Sequence, residues 1–217
     1  MPLPGSSTAT VPVVEASGAR VPGSRRVGLF GGTFDPPHVG HLVVAVNVRH
    51  ELGLDEVLLV VANEPWQKAH LPVSPAADRL AMVEAAVDGV AGVSASALEI
   101  ERGGTSYTAD TLAELGRRCP GVPLHVVLGS DAAAGLDTWE RAAEVREGAS
   151  IVVVTRPGAE HAPLPPGWAA RHVEVPRLDV SSTDLRARAA DGRPLDWLVP
   201  ARVVALIRER GLYAAGG

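Results

Sequence analysis

The stretch from residue 27 to residue 41 limits what this chain can fold into more than any other part of the sequence. It opens as a short apolar run, passes through Gly31 and Gly32, and ends in His-x-Gly-His directly before an apolar stripe with helical spacing. This pattern predicts a strand, a glycine-containing turn and a helix start. The glycines can adopt backbone angles closed to other residues, and they let a ligand approach the main chain. Free N–H groups of the turn then meet the positive end of the helix dipole, where His38 and His41 share a helix face, so the stretch predicts a phosphate site.

Two simpler interpretations of this stretch have to be weighed. A glycine pair after a strand is often only a turn, and two histidines three residues apart could instead bind a metal ion. A metal would need further ligands, and the chain has neither a cysteine cluster nor a His-Glu-x-x-His motif to supply them. The only cysteine, Cys119, cannot form an intramolecular disulfide. The whole combination favours a phosphate over a metal.

Short apolar runs alternate with helical patterns along the rest of the chain. Strands are predicted at 56–62, within 93–100, and at 124–128, 150–155 and 173–175, and helices at 42–52, 76–87, 108–118, 138–146, about 182–190 and 203–210. This alternation predicts an α/β fold, a doubly wound parallel sheet, in which ligands bind beyond the carboxyl ends of the strands. We expect one domain over 25–217, with a small helical cap at about 180–213 and a disordered tail over 1–24.

Charge and composition limit the partners of the chain. The 217 residues carry a formal net charge of −5, which argues against nucleic acid and anionic membranes as partners. No apolar run approaches the ~18–20 residues of a membrane span, and residues 1–24 lack the pattern of a signal peptide. We therefore expect a cytoplasmic protein, and the sequence is compatible with a homo-oligomer.

Polar segments follow several of the predicted strands. Lys68 lies in the loop after the second strand, where it is either simply solvated or able to neutralise a nearby phosphate. Gly129 and Asp131 end a later strand and suit hydrogen bonds to a ribose. Thr108 reads as a helix N-cap that could also meet a ligand. Trp139 is either a core residue or a platform on which a flat heterocycle would stack, worth roughly 1–3 kcal/mol.

A second helix start is predicted at 181–186. Ser181 or Ser182 caps it, and Arg186 follows one turn later. Capping alone explains the serines, but hydroxyl groups, a helix N-terminus and a guanidinium together also form an anion site. Two such sites in one α/β chain fit a long polyanion better than either does alone.

From residue 26 to residue 213 the sequence resembles the bacterial nicotinate-nucleotide adenylyltransferases of the nucleotidylyltransferase superfamily, whose fold is Rossmann-like. The most specific parts are residues 31–41 and residues 180–186, where Val180 replaces the usual isoleucine. Residues 107–112 and 138–139 also match. The match is looser at 63–68, where Gln67 stands in place of the common histidine, and at 129–131, where Ser130 replaces alanine.

The resemblance implies adenylyl transfer from ATP to nicotinate mononucleotide, which gives nicotinate adenine dinucleotide (deamido-NAD) and pyrophosphate in NAD biosynthesis. The cofactor implied is Mg²⁺, held mainly by phosphates and water rather than by protein ligands. The catalytic residues implied are His38, His41, Lys68 and Arg186. Those implied for ATP binding are Gly31, Gly32, Thr33, Phe34, His38, His41, Gly129, Asp131, Ser181, Ser182 and Arg186. Those implied for nicotinate mononucleotide are Thr33, Lys68, Thr108 and Trp139.

Two alternative functions stay open at this point. One is another adenylyl or cytidylyl transfer, with nicotinamide mononucleotide or phosphopantetheine as the acceptor. The other is a non-catalytic nucleotide-binding regulator, against which the intact histidine pair and both helix-start sites count. The sequence does not decide between an acid and an amide on the pyridine ring.

Overall fold

The computed structural model describes residues 25–68, 72–155, 157–158 and 163–214. Its strands are β1 (Val27–Gly32), β2 (Glu56–Val61), β3 (Val93–Ser96), β4 (Leu124–Gly129), β5 (Ser150–Thr155) and β6 (Ala170–Glu174). Its α-helices are α1 (Val39–Leu52), α2 (Ala76–Val87), α3 (Leu98–Arg102), α4 (Thr108–Arg118), α5 (Ser130–Ala134), α6 (Ala142–Gly148), α7 (Ser182–Ala190) and α8 (Ala201–Glu209). The strands form one parallel sheet in the order β3-β2-β1-β4-β5-β6, which confirms the predicted fold class.

The sheet is buried on both faces, and this explains why its strands read as unbroken apolar runs. In β2, Val57, Leu59 and Val61 pack into one core cluster together with side chains of α1 and α2. Val60 points the other way, into a cluster with Leu112 of α4 and its neighbours. Successive side chains of a strand therefore enter opposite cores, as a pleat of period two requires.

The chain reverses its direction of growth across the sheet at β1. It runs outward from β1 through β2 to β3, and then returns to add β4 on the other side of β1. In doubly wound sheets this switch leaves a crevice beyond the carboxyl ends of the two strands, where ligands bind. A ligand site is therefore expected at the loops after β1 and β4.

Several boundaries differ from those predicted. Strand β3 ends at Ser96 and is followed by the unpredicted α3, while α5 is a single short turn of Ser-Asp-Ala-Ala-Ala with no apolar stripe to announce it. The helix predicted at 138–146 begins only at Ala142, because Arg141 before it has a positive φ of 52° and Trp139 is extended. Strand β6 lies at Ala170–Glu174, earlier than the predicted 173–175.

The predicted C-terminal helical element is present and has its own small core. Leu185 of α7 and Val203 and Ile207 of α8 pack against Met82 and Ala86 of α2. The predicted disordered tail at 1–24 lies outside the described residues. None of the helices in the described ranges combines the length and apolar composition needed to cross a bilayer.

Candidate active site

The N-termini of α1 and α7 meet at the loop that joins β1 to α1. A guanidinium nitrogen of Arg186, Nη1, donates to the carbonyl oxygen of Asp35 at 2.8 Å. The hydroxyl of Ser182 donates to the carbonyl oxygen of Pro36 at 2.9 Å. Both helix starts predicted from the sequence therefore adjoin one short segment, 33–38, at the carboxyl end of β1.

The two histidines of the His-x-Gly-His motif lie against each other, as their spacing predicts. Their rings stack with centroids 3.7 Å apart and planes 25° from parallel. His38 is the N-cap of α1 rather than a helical residue, and its backbone N–H donates to Nδ1 of His41 at 3.1 Å. Because Nδ1 of His41 accepts this bond, a neutral His41 carries its proton on Nε2.

His38 is uncharged in the free protein at neutral pH. The residue is only 7% exposed, and this burial lowers the pKa of its imidazole to about 4. Its Nδ1 is buried and has no hydrogen-bond partner among the described residues. The ring therefore offers hydrogen bonds rather than a fixed charge, and a polyanion bound beside it would raise its pKa again.

The backbone N–H groups at the start of α1 are less available than the sequence suggested. The N–H of Val39 donates to the carbonyl oxygen of Leu198 at 3.0 Å, and that of His38 is held by His41. Imidazole groups and the helix dipole, rather than these two N–H groups, are what α1 presents to an anion.

The glycines of the motif are explained by their lack of a side chain and not by unusual backbone angles. Gly31 and Gly32 lie in β1 without positive φ, so the expectation of special angles is wrong; the left-handed residue is Phe34, with φ of 51°. A Cβ on Gly32 would lie 2.8 Å from the ring of Phe34, and one on Gly40 would lie 3.0 Å from Nδ1 of His38. A Cβ on Gly31 would meet nothing within 4 Å, so Gly31 borders open space whereas Gly32 does not.

The ring of Phe34 packs against His41 of the histidine pair. The residue is 2% exposed, and its ring meets that of His41 edge-on at 4.9 Å. Its side chain is thus committed to the core, and only its main chain remains for the ATP contact predicted from the resemblance.

A cavity of about 160 Å³ opens beside the loop that joins β1 to α1, between the ends of β1 and β4. Its walls include Thr33, Trp66, Gln67, Thr108 and Trp139. The volume is below the range of sites for drug-sized ligands, so it suits a single heterocycle. The structure thus brings together Thr33, Thr108 and Trp139, three of the four residues implied for nicotinate mononucleotide. Nε1 of Trp139 is buried there and has no partner within the described ranges.

The segment after β2 forms one wall of this cavity. The N–H of Asn63 donates to the hydroxyl of Ser106 at 2.8 Å, and the N–H of Ser106 donates to the carbonyl of Glu64 at 3.0 Å. These bonds join the loop before Lys68 to the loop before α4. Lys68 ends a 3-10 turn that begins at Trp66, but its side chain lies outside what the structure describes.

The residues predicted to hold a ribose lie where parallel-sheet ligands bind. Gly129 is the last residue of β4 and the N-cap of α5, and Asp131 follows in the first turn. Both are exposed at the carboxyl end of the strand next to β1.

The N-cap of α4 is Tyr107, so Thr108 is its first helical residue rather than the predicted cap. Ser181, by contrast, caps α7 as expected, because its hydroxyl oxygen accepts the N–H of Asp184 at 3.1 Å. The carboxylate of Asp110 is bound at 2.6 Å by Arg141, which holds the segment after Trp139 against α4.

Two residues of the site were missed in the sequence. Glu99 is 7% exposed, lines the cavity and accepts the hydroxyl of Thr111 at 2.6 Å. Arg79 is 1% exposed and binds main-chain carbonyls of the loops that follow β1 and β2. The only sequence signal for Glu99 was an acidic residue inside a predicted strand. Arg79 gave no signal, because an arginine in a predicted helix is normally expected to point into solvent.

The chain is similar to known proteins over most of its length. Residues 29–188 match the family described as Cytidylyltransferase-like. A protein of Saccharopolyspora erythraea named a probable nicotinate-nucleotide adenylyltransferase is 44% identical over 193 residues, which cover 87% of this chain and 90% of that relative. One of Streptomyces coelicolor with the same name is 46% identical over 186 residues, covering 85% of this chain and 98% of the relative.

A solved structure has the same fold at low sequence identity. The Plasmodium falciparum nicotinic acid mononucleotide adenylyltransferase complexed with NaAD superposes with a TM-score of 0.71 at 16% identity, covering 87% of this chain and 97% of that one. The family match, the two bacterial relatives and this shared fold agree with the histidine pair and the paired helix starts. The chain therefore belongs to the nicotinate-nucleotide adenylyltransferase family, within the cytidylyltransferase-like proteins.

Proposed function

We propose that this protein transfers the adenylyl group of ATP to nicotinate mononucleotide and releases nicotinate adenine dinucleotide and pyrophosphate, as a step of NAD biosynthesis. The observation that carries the proposal is the arrangement at the end of β1. There, the stacked histidines and the start of α7 flank one loop, and an aromatic cavity opens beside that loop. A triphosphate and a pyridine ring can then bind next to each other.

The chemistry asks little of the protein beyond placement and charge. A phosphate oxygen of the mononucleotide attacks the α-phosphorus of ATP, and the bond to the oxygen of the β-phosphate breaks, so pyrophosphate leaves with both electrons. The nucleophile is already an anion, so no general base is required. Catalysis can then come from orientation of the reactants and from stabilisation of charge on the leaving group.

The residues around the loop supply that stabilisation. His38 and His41 donate hydrogen bonds to the phosphates, and Arg186 adds a charge whose guanidinium is already oriented by its bond to Asp35. Lys68 and Ser181 complete the phosphate contacts, with main-chain contacts from Gly31, Gly32, Thr33 and Phe34. Ser182 contributes its main-chain N–H at the start of α7, because its hydroxyl is bonded to Pro36. Gly129 and Asp131 bind the adenosine.

Mg²⁺ fits this site as part of the ATP substrate. Among the described residues, no group of three or more His, Cys, Asp or Glu side chains lies close enough to hold a metal ion. A cation that enters bound to phosphate oxygens and water needs no such group, since Mg²⁺ keeps several waters when it binds nucleotides. Its contribution is to offset charge on the phosphates.

In this proposal the pyridine ring of the acceptor binds in the cavity. Trp139 offers an aromatic face and an unpaired N–H donor, and Thr108 and Thr33 line the same space. A ring carboxylate needs such donors. The carboxylate of Glu99 in the same wall favours a second candidate acceptor, nicotinamide mononucleotide, because an amide N–H could donate to it.

Pyrophosphate release from ATP tests the function directly. The acceptors are nicotinate mononucleotide, nicotinamide mononucleotide and phosphopantetheine, each with Mg²⁺, and the products are identified by mass. We expect the highest kcat/KM with nicotinate mononucleotide. No release above background with any of the three, or a preference for phosphopantetheine, would overturn the proposal.

A further inference from the structure

Arg79 is a buried charge that ties together the loops on which the proposed reaction depends. Its Nη1 donates to the carbonyl oxygen of Thr33 at 3.0 Å and to that of Ala62 at 2.6 Å. Its Nη2 donates to the carbonyl of Asn63 at 3.0 Å, and its Nε donates to that of Ser74 at 2.8 Å. Four of the five guanidinium N–H groups thus go to main-chain oxygens from three separate segments.

The negative charge of Asp35 offsets the positive charge of Arg79, and both side chains hydrogen-bond to the main chain of Ser74. The carboxylate of Asp35 is 3% exposed and accepts the N–H of Ser74 at 3.1 Å, while the carbonyl of Ser74 accepts from Arg79. The hydroxyl of Tyr213 donates to the other carboxylate oxygen at 2.6 Å. Burial and the neighbouring Asp35 raise the pKa of Tyr213, so its hydroxyl keeps the proton that it donates.

Arg79 forms these bonds at the point where the pairing of β1 with β2 ends. The ladder between β1 and β2 ends at Gly32 and Val61, with a last backbone bond from Ala62 to Gly32 at 3.0 Å. Beyond that point the two chains separate. One leads through Thr33 to the histidine pair, and the other leads through Asn63 to the wall of the ring cavity. Arg79 bonds to both chains just after their own pairing has stopped.

A buried arginine is a costly way to fill space. Desolvation of a guanidinium must be offset by several well-formed hydrogen bonds, and an apolar side chain of similar volume would often serve stability as well. An arginine does something that an apolar side chain cannot, because its planar fork holds several oxygens at fixed separations.

We propose that Arg79 is a positioning residue, which sets the distance between the phosphate site of ATP and the ring cavity of the acceptor. The inference rests on the proposed function. Each substrate has its own pocket, but the reaction needs the acceptor phosphate and the α-phosphorus in line. Displacement by about 1 Å can cost on the order of 10²-fold in rate.

The test compares Arg79→Lys with Val83→Ala. Lysine keeps the charge but offers its donors from one nitrogen, so it cannot hold carbonyls on three segments. Val83 is fully buried on the same helix and packs into the core instead of binding these loops, so its truncation is a matched control for lost stability. Calorimetry gives Kd for ATP alone and for nicotinate mononucleotide alone, and pyrophosphate release gives kcat.

For Arg79→Lys we expect both Kd values within about fivefold of wild type and kcat lower by about 10²-fold. For Val83→Ala, assayed where it is folded, we expect kcat within about twofold. A kcat of Arg79→Lys near that of wild type would overturn the inference, and so would a loss of binding of both substrates with kcat unchanged. A wild-type protein that releases no pyrophosphate would instead overturn the proposed function.

Tyr213→Phe tests the same linkage should Arg79→Lys prove unfolded at the assay temperature. It removes only the hydroxyl that holds Asp35 and keeps the ring in place. We expect about a tenfold lower kcat, the equivalent of one lost hydrogen bond to a charged group, with both Kd values retained. A wild-type kcat for a folded Tyr213→Phe would count against the inference.

Discussion

His38 is buried, its ring stacks on that of His41, and it is uncharged in the free protein because burial lowers its pKa. Its ring is placed by the N-cap geometry of α1, and it occupies the space that a side chain at position 40 would need, since a Cβ on Gly40 would lie 3.0 Å from Nδ1 of His38. In the proposed reaction, a substitution that removes the ring removes a hydrogen-bond donor to the charge that develops on the leaving pyrophosphate.

We therefore expect His38→Ala to lower kcat for pyrophosphate release by on the order of 10²–10³, as for the loss of one such donor. His50→Ala is the matched control, because His50 is exposed in the last turn of the same helix. Its kcat should stay within about twofold of wild type. Near-normal turnover of His38→Ala would refute the role assigned to His38.

The burial of His38 also makes folding depend on pH. Its pKa is about 4 in the folded protein, compared with 6.5 ordinarily, so the unfolded chain binds more protons between these values. The stabilisation is complete above pH 6.5 and is lost as the pH falls toward 4. By linkage the loss is about 2 kcal/mol between pH 7.5 and pH 5.

His38→Asn should abolish this dependence. The difference in free energy of unfolding between wild type and His38→Asn, measured in urea, should therefore shrink by about 2 kcal/mol from pH 7.5 to pH 5. An equal difference at both pH values would show that His38 is not held neutral by its surroundings.

Trp139 should affect the acceptor and not ATP. Trp139→Leu keeps an apolar side chain in the wall of the cavity but removes the aromatic face and the unpaired N–H. We expect KM for nicotinate mononucleotide to rise by about 10-fold or more, for a stacking contribution of ~1–3 kcal/mol, with KM for ATP almost unchanged. Trp197→Leu is the control, since Trp197 is 93% exposed. Equal changes in both KM values would contradict the assignment of the cavity to the pyridine ring.

At the scale of elements, α7 matters because its first turn is bound to the loop before α1. Ser182 and Arg186 hold it there through the carbonyl groups of Pro36 and Asp35. The helix thus places a guanidinium beside the proposed phosphate site, while Leu185 on the same helix packs into the C-terminal core.

Arg186→Gln should lower kcat/KM for ATP by about 10²-fold, because it removes a charge at the phosphates. Arg188→Gln, two residues further along the same helix and so on its opposite side, removes a guanidinium that is paired with Asp184 at 2.9 Å. We expect that control within about twofold of wild type. Equal losses in the two variants would mean that α7 contributes only stability.

Elements with strong local patterns were predictable and the others were not. The apolar runs of β1, β2, β4 and β5 announce themselves because both faces of a parallel sheet are buried. The helix predicted at 138–146 begins late because a left-handed Arg141, which no periodicity reveals, interrupts it. The single-turn helix α5 has no stripe at all, since five residues cannot show one.

At the scale of the whole molecule, the fold places the motifs that the sequence could only name separately. The histidine pair and the serine-arginine helix start are each visible in the sequence, and their meeting follows from the switch of direction at β1 together with the return of α7 to the same edge. The contact between Tyr213 and Asp35 joins residues 178 positions apart, and no local pattern predicts it. The four carbonyl contacts of Arg79 are hidden for the same reason, because the partners are main-chain atoms that any residue could supply.

The most direct test is the structure of this protein bound to ATP and Mg²⁺ without an acceptor. We predict that oxygens of a single triphosphate lie within about 3 Å of both the His41 ring and the Arg186 guanidinium, the distance of a charge-assisted hydrogen bond. A triphosphate that contacts only one of these groups, or that binds away from the ends of β1 and β4, would contradict the account.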